Sequence, residues 1–220
     1  MEKSYRMVKT RGEDLFTEKK SRFIGYAAPV YTEDEATEFI NGIKKKHYDA
    51  SHNCYAYILG SNSSIQRSSD DGEPSGTAGV PILEVLKKEG LTNTAVVVTR
   101  YFGGIMLGAG GLIRAYTEGA SIAIKASGIV KVQPFSAYRL NFEYGLLNKL
   151  QYELPRSNYI IAGTEYFERV SMKILALPEA CEALENDVTQ WTNGNAEIEF
   201  IETSMLKIDE ATDKIIDIAD

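Results

Sequence analysis

Hydrophobic positions change period several times along the chain, and each change marks an element. Residues 5–9 alternate as a short strand, and residues 21–31 (SRFIGYAAPVY) read as a longer one with Phe23 and Ile24 directed toward a core. The period then lengthens. Ala36, Phe39, Ile40 and Ile43 make an apolar helical stripe, Thr32 and Glu35 stand at capping-box spacing, and Lys44, Lys45 and Lys46 suit the negative end of the helix dipole. Residues 53–59 and 64–68 predict a hairpin joined by GSNS. Cys54, Ala56 and Ile58 alternate there with Tyr55, Tyr57 and Leu59, so both faces of the first strand are expected to be covered. A helix over about 78–89 follows, with Pro81 tolerable in its first turn and Gly90 as its stop.

Residues 94–116, TAVVVTRYFGGIMLGAGGLIRAY, organise the rest. Residues 95–99 are a continuous apolar, β-branched run of buried-strand length, and Arg100 and Tyr101 fall where that strand leaves the core. Gly103, Gly104, Gly108, Gly110 and Gly111 then suit a backbone that needs positive φ or close approach. A helix from about 109 to 127 leaves its first amides unpaired, which makes the loop a candidate anion or carbonyl-oxygen cradle, and Arg114 lies one turn in. A short strand over 129–132 ends this half. Beyond Pro134 the pattern reads strand, helix, two strands, helix and strand up to about 205, the β-α-β-β-α-β order of ferredoxin-like domains. The expected fold class is α+β with two domains, 1–133 and 134–208, followed by an acidic tail, 209–220.

Charge sharpens that division. Through Gln133 there are 17 Lys and Arg against 15 Asp and Glu, a net +2; the remainder has 7 against 16, a net −9, so the acidity of the chain belongs to the second half. That half is a poor candidate for wrapping nucleic acid, whereas the first can present a local basic patch. No apolar run reaches the ~20 residues of a membrane span, the opening residues lack a signal-peptide core, and a cytoplasmic protein without membrane partners is expected. Cys54 and Cys181 lie far apart and predict no disulfide. His52 and Cys54 form half of a zinc-site pattern, but with two His and two Cys in the whole chain no metal or other cofactor is expected.

Two chemistries fit the polar stretch SSDDGEPSGTAGVP and the glycine loop together. In a binding module, Arg22, Arg100 and Arg114 meet phosphates while Tyr55, Tyr101 or Phe102 stack on bases. In a hydrolase or transferase, Asp70, Asp71 and Glu73 hold a hard cation and Ser75 with His52 imitate a nucleophile and base. No phosphate-loop, GxSxG or HExxH motif supports the enzyme. Against both stands a structural alternative in which Arg100 and Arg114 pair with Asp70, Asp71 or Glu73. A protein-binding regulator is a further possibility.

SRF at Ser21, HNCYAY at His52, DDGEPSGTAG at Asp70, and RYFGG with LGAGGLIRAY from Arg100 to Tyr116 resemble the IMPACT family, including its bacterial YigZ-type members. The resemblance implies an N-terminal α/β domain like those of a small-subunit ribosomal protein and domain IV of elongation factor G, and a C-terminal domain like domain V of that factor. It also implies a role in translation control, since eukaryotic relatives bind a protein activator of an initiation-factor kinase. RNA, the ribosome or a translation factor are the partners it suggests, and the two loops present Arg22, Asp70, Asp71, Glu73, Ser75, Arg100, Tyr101, Gly103, Gly104, Gly110, Gly111 and Arg114 as the candidate ligand-binding set. Met106 stands where the family commonly has lysine, which removes a cation from the loop.

Overall fold

The computed structural model describes residues 3–216. The protein is α+β with two domains and two sheets. Contacts divide it into a unit that runs to Val132 and takes in Lys207–Lys214, and a second unit of Gln133–Leu206 with the residues from Ile215.

In the first unit, β2 (Gly12–Glu18), β3 (Ser21–Pro29), β6 (Thr94–Tyr101), β4 (His52–Leu59) and β5 (Ile65–Ser69) form, in that order, an antiparallel sheet. The apolar run in β6 makes it the central strand because both its faces are covered. Val96 and Val98 pack with Phe23, Cys54, Ala56 and Ile58 under α2 (Gly79–Lys88) and α3 (Ala109–Ser127). Ala95 and Val97 pack with Ile24, Tyr26, Tyr57 and Leu59 under α1 (Glu33–Lys46). The α1 start forms as its spacing predicts, with the Glu35 amide donating to Thr32 Oγ1 at 3.1 Å.

The strand β2 has no counterpart among the sequence-predicted elements. Its GEDLFTE sequence is charged because it is an edge strand, where exposed carboxylates deter pairing with other chains. Lys19 and Lys20 turn it into β3, both in the left-handed region with φ 46° and 66°, as a two-residue hairpin requires. Helix α3 reaches the sheet through glycine: a Cβ on Gly25 would stand 2.0 Å from the Gly119 carbonyl oxygen.

A single strand, β7 (Ile129–Phe142), replaces the two expected around Pro134. It pairs with β1 (Tyr5–Val8) up to Val132 and with β9 (Val170–Ala176) from Ser136, so Pro134, without an N–H, falls between these two ladders. In the second unit β7 is followed by α4 (Leu147–Arg156), β8 (Ile160–Tyr166), β9, α5 (Cys181–Thr192) and β10 (Ala196–Asp209). The strand order β10-β7-β9-β8 is the ferredoxin-like arrangement, closed over Leu140, Phe142, Leu150, Leu154, Met172 and Leu184.

The expected loose tail from Asp209 is instead held to the first unit where it is described. Asp209 accepts from Lys9 Nζ at 2.5 Å, and Glu210 takes the Arg6 guanidinium at 2.6 and 2.7 Å. Two ion pairs fix this stretch, which acidity alone does not announce; residues 217–220 lie outside the described residues. Among the described residues no helix is long and apolar enough to cross a membrane.

Gly25→Ala forces α3 off the sheet and is expected to lower stability by about 1–3 kcal/mol. Urea unfolding checks this; a change below about 0.5 kcal/mol means that the helix moves freely over β3.

Candidate functional site

The polar loop after β5 is organised from within. Asp70 accepts from the amides of Gly76 at 2.9 Å, Ala78 at 3.0 Å and Gly79 at 2.8 Å, and so caps α2 from upstream. Burial of Asp70 opposes ionisation, and these amides outweigh it, holding its carboxyl below the usual range. Asp71 accepts from Lys44 Nζ and the Asn53 amide, both at 2.7 Å, tying the loop to α1 and β4. Burial again works against the Asp71 charge, and the Lys44 ammonium with the Asn53 amide overcomes it.

Glu73 lies beneath both loops, 8% exposed. Its Oε1 accepts from Arg100 Nη1 and from the Tyr116 hydroxyl, each at 2.7 Å. Arg100 is 5% exposed, sits 5.5 Å from the Phe23 ring and 5.3 Å from the Phe102 ring, and reaches Ser21 Oγ at 3.4 Å. Ser21 Oγ also accepts from the Gly103 amide at 3.2 Å, which fixes the root of the glycine loop. Burial pushes the Tyr116 hydroxyl and the Cys54 thiol well above their ordinary pKa values, so Cys54 is inert packing.

The residues of the hydrolase reading are not brought together as a reacting set. Ser75 is exposed, without a hydrogen bond to His52. His52 donates Nδ1–H to the Asp71 carbonyl at 2.8 Å and leaves Nε2 3.9 Å from Glu73 Oε1. Among the described residues no cluster of His, Cys, Asp and Glu has the make-up of a metal site.

The glycine loop itself faces outward. A Cβ on Gly103 would meet the Lys20 carbonyl carbon at 2.0 Å, so only glycine lets this loop rest on the β2–β3 turn. Gly104 and Gly108 have positive φ, 82° and 72°, and Gly108 begins α3 with no side-chain cap over the amides of Ala109, Gly110 and Gly111. Lys19, Lys20 and Arg114 stand around this opening and Arg22 stands at the strand end on the α1 side; all four are exposed and have no ion pair among the described residues. Arg22 lies over the Tyr101 ring at 4.4 Å. Phe102, Ile105 and Met106 project from the loop, 51%, 41% and 84% exposed. Lys19 and Lys20 escape a sequence reading that misses β2; the EKKS turn between two strands is the signal that marks them.

Behind Tyr101 runs a hydrogen-bonded chain with one consistent direction. Tyr101 donates to Asp49 at 3.0 Å, so His47 Nδ1–H donates to Tyr101 at 2.9 Å, and His47 Nε2 accepts from Tyr26 at 2.7 Å. Lys46 donates to the Tyr26 oxygen at 3.3 Å. A larger cleft, about 590 Å³, lies on the α1 side between α1 and β2–β3, but its Lys46 and Glu13 pair with each other at 3.1 Å and Glu35 accepts from the Tyr31 amide at 2.7 Å.

Residues 19–124 match the model of the Impact N-terminal domain, and residues 140–195 match a domain of unknown function (DUF1949). Over 204 residues the chain is 45% identical to the IMPACT family member YvyE of Bacillus subtilis (strain 168), covering 93% of this chain and 94% of that protein. The chain belongs to the IMPACT family. It is 37% identical over 164 residues to the IMPACT family member YigZ of Escherichia coli (strain K12), covering 74% of this chain and 80% of that one. A crystal structure of a hypothetical protein aligns at 31% identity with a TM-score of 0.58, covering 92% of this chain and 98% of the other. The N-terminal match begins at Lys19 and ends within α3, so it includes the IMPACT chain's β2–β3 turn and both of its loops.

Burial, then the Lys46 and Arg22 charges, hold the His47 imidazole of this IMPACT protein below its ordinary pKa. A neutral buried histidine contributes stability in full above the unfolded value of about 6.5 and loses it as pH falls below that value. Unfolding midpoints measured from pH 7.5 to 5 are therefore expected to decline, and His47→Gln to flatten that decline. An unchanged pH profile in the variant means that the chain from Tyr26 to Asp49 carries no protonation-dependent stability.

Proposed function

We propose that this IMPACT-family protein is a translation-related binding protein without catalysis of its own, and that it contacts RNA through the rim of the N-terminal glycine loop. One observation carries the reading: Lys19, Lys20 and Arg114 at the loop, and Arg22 at the adjoining strand end, have no ion pairs among the described residues, in a chain whose net charge is −7. Neighbouring charges of both signs are engaged internally, Arg100 by Glu73 and Asp71 by Lys44, so the four cations are left over by the fold and are free to meet phosphates. The open amides of Gly110 and Gly111 beside Gly103 and Gly104 add neutral donors, Phe102 offers an aromatic face to a base, and Tyr101 holds Arg22 in place. Asp70, Asp71 and Glu73 shape this surface from beneath, and Ser75 lies at its exposed margin. The link to translation rests on family membership and the role that family resemblance implies.

Replacing Arg22 and Arg114 together with Gln is expected to lower the slope of log affinity against log salt for single-stranded RNA by about 0.7 per lost phosphate contact, with the melting temperature unchanged. Fluorescence anisotropy over a salt series reads this. Parent slope in the variant removes these arginines from the interface, and absence of RNA binding at about 50 mM salt overturns the RNA reading. Salt-insensitive capture of a translation factor after nuclease treatment replaces it with a protein partner, met by Phe102, Ile105 and Met106.

A further inference from the structure

Beside the glycine loop, between the β2–β3 turn and α3, the first unit has a cavity of about 320 Å³. Resting on the RNA reading above, we propose that this cavity receives one unstacked guanine base of the bound strand. Its size is at the small end of the range of about 300–1,000 Å³ for ligand pockets, which suits a single nucleoside.

The lining has three parts with separate tasks. Phe16, Leu107 and Ala115 supply apolar surface, and the Phe16 ring is held in place by stacking on Phe23, centroids 5.2 Å apart and planes within 10°. Lys19 and Arg114 stand at the same cavity and belong to the free cations of the rim, so a phosphate flanking the base meets them. Gly111, Glu18 and Glu118 complete the lining; both carboxylates are exposed, and neither has an ion pair or side-chain hydrogen bond among the described residues.

Those two carboxylates select among bases, because an ionised carboxylate only accepts hydrogen bonds. Guanine presents two adjacent donors on its Watson–Crick edge, N1–H and the N2 amino group, which match the two oxygens of one carboxylate. Adenine and cytosine each place a ring-nitrogen acceptor beside their amino group, and uracil flanks its one N–H with two carbonyls, so each brings a lone pair against the carboxylate. Edge readout of a splayed base over an apolar or aromatic floor is the usual way in which single-stranded RNA is discriminated. Two glutamates in a phosphate-binding rim weaken nonspecific attraction, and a role in base selection accounts for their position.

Anisotropy with a uridine oligonucleotide, the same oligonucleotide carrying one central guanosine, and a third with inosine at that place tests the assignment. Inosine keeps N1–H and lacks the amino group. The guanosine strand is expected to bind about tenfold more tightly than the uridine strand, with inosine between them. The E18Q/E118Q double variant is expected to lose that difference while still binding uridine RNA with a parent-like or greater salt slope. Equal affinity of the parent for the three strands, with steep salt dependence retained, overturns the guanine pocket and leaves the RNA reading standing. Guanosine preference that persists in E18Q/E118Q overturns the role of these carboxylates. No binding of any strand at low salt overturns both readings together.

Discussion

The buried ion pair between Glu73 and Arg100 is the constraint on which the N-terminal surface depends. It joins the polar loop to the end of the central strand, reaches α3 through the Tyr116 hydroxyl, and touches β3 through Ser21. Removing one partner of such a pair leaves an uncompensated buried charge, with a loss of about 3–5 kcal/mol. The pair is not fully satisfied, since Arg100 Nε is buried without a hydrogen-bond partner. Its contribution is therefore better understood as fixing how the two loops meet than as a large net gain in stability.

Several other features follow from that junction. With Ser21 Oγ accepting from both Arg100 and the Gly103 amide, the glycine loop is anchored at one end and must fold back over the Lys19–Lys20 turn, where only a glycine at 103 fits. In the companion loop Asp70 caps α2, Asp71 takes Lys44 and Glu73 takes Arg100, which leaves no carboxylate of that loop free to neutralise the rim. A stable interior and an opening with unpaired cations thus arise from the same distribution of charges.

The periodic elements are legible in the sequence for simple reasons. The β6 run reads as a central strand because both of its faces are apolar, and α1 shows its stripe and its cap within fifteen residues of chain. Strand β2 is not legible, because an edge strand with one neighbour can be charged on both faces. One strand stands where two were expected around Pro134, because proline is disruptive only where a ladder needs its N–H, whereas the division of the chain into units does fall beside it, at Val132 and Gln133. At the site, the glycines and Arg22, Arg100 and Arg114 stand out by residue type, but their separate roles do not. Whether Arg100 faces solvent or Glu73 is set by contacts across 27 positions, and the capping role of Asp70 by amides up to nine positions downstream. Those partners are chosen by tertiary structure, which local pattern does not encode.

A double-mutant cycle at Glu73 and Arg100, read by urea unfolding and by RNA anisotropy on the same samples, is the most direct test that Arg100 organises the loops while the outer cations do the binding. Arg100→Met alone is expected to lose about 3–5 kcal/mol; combined with Glu73→Gln, the loss is expected to fall short of the sum of the two single losses. RNA affinity of the folded variant is expected to fall as the loops loosen, while its salt slope stays at the parent value because the outer cations are intact. An Arg100→Met protein that unfolds like the parent and no longer binds RNA contradicts the account.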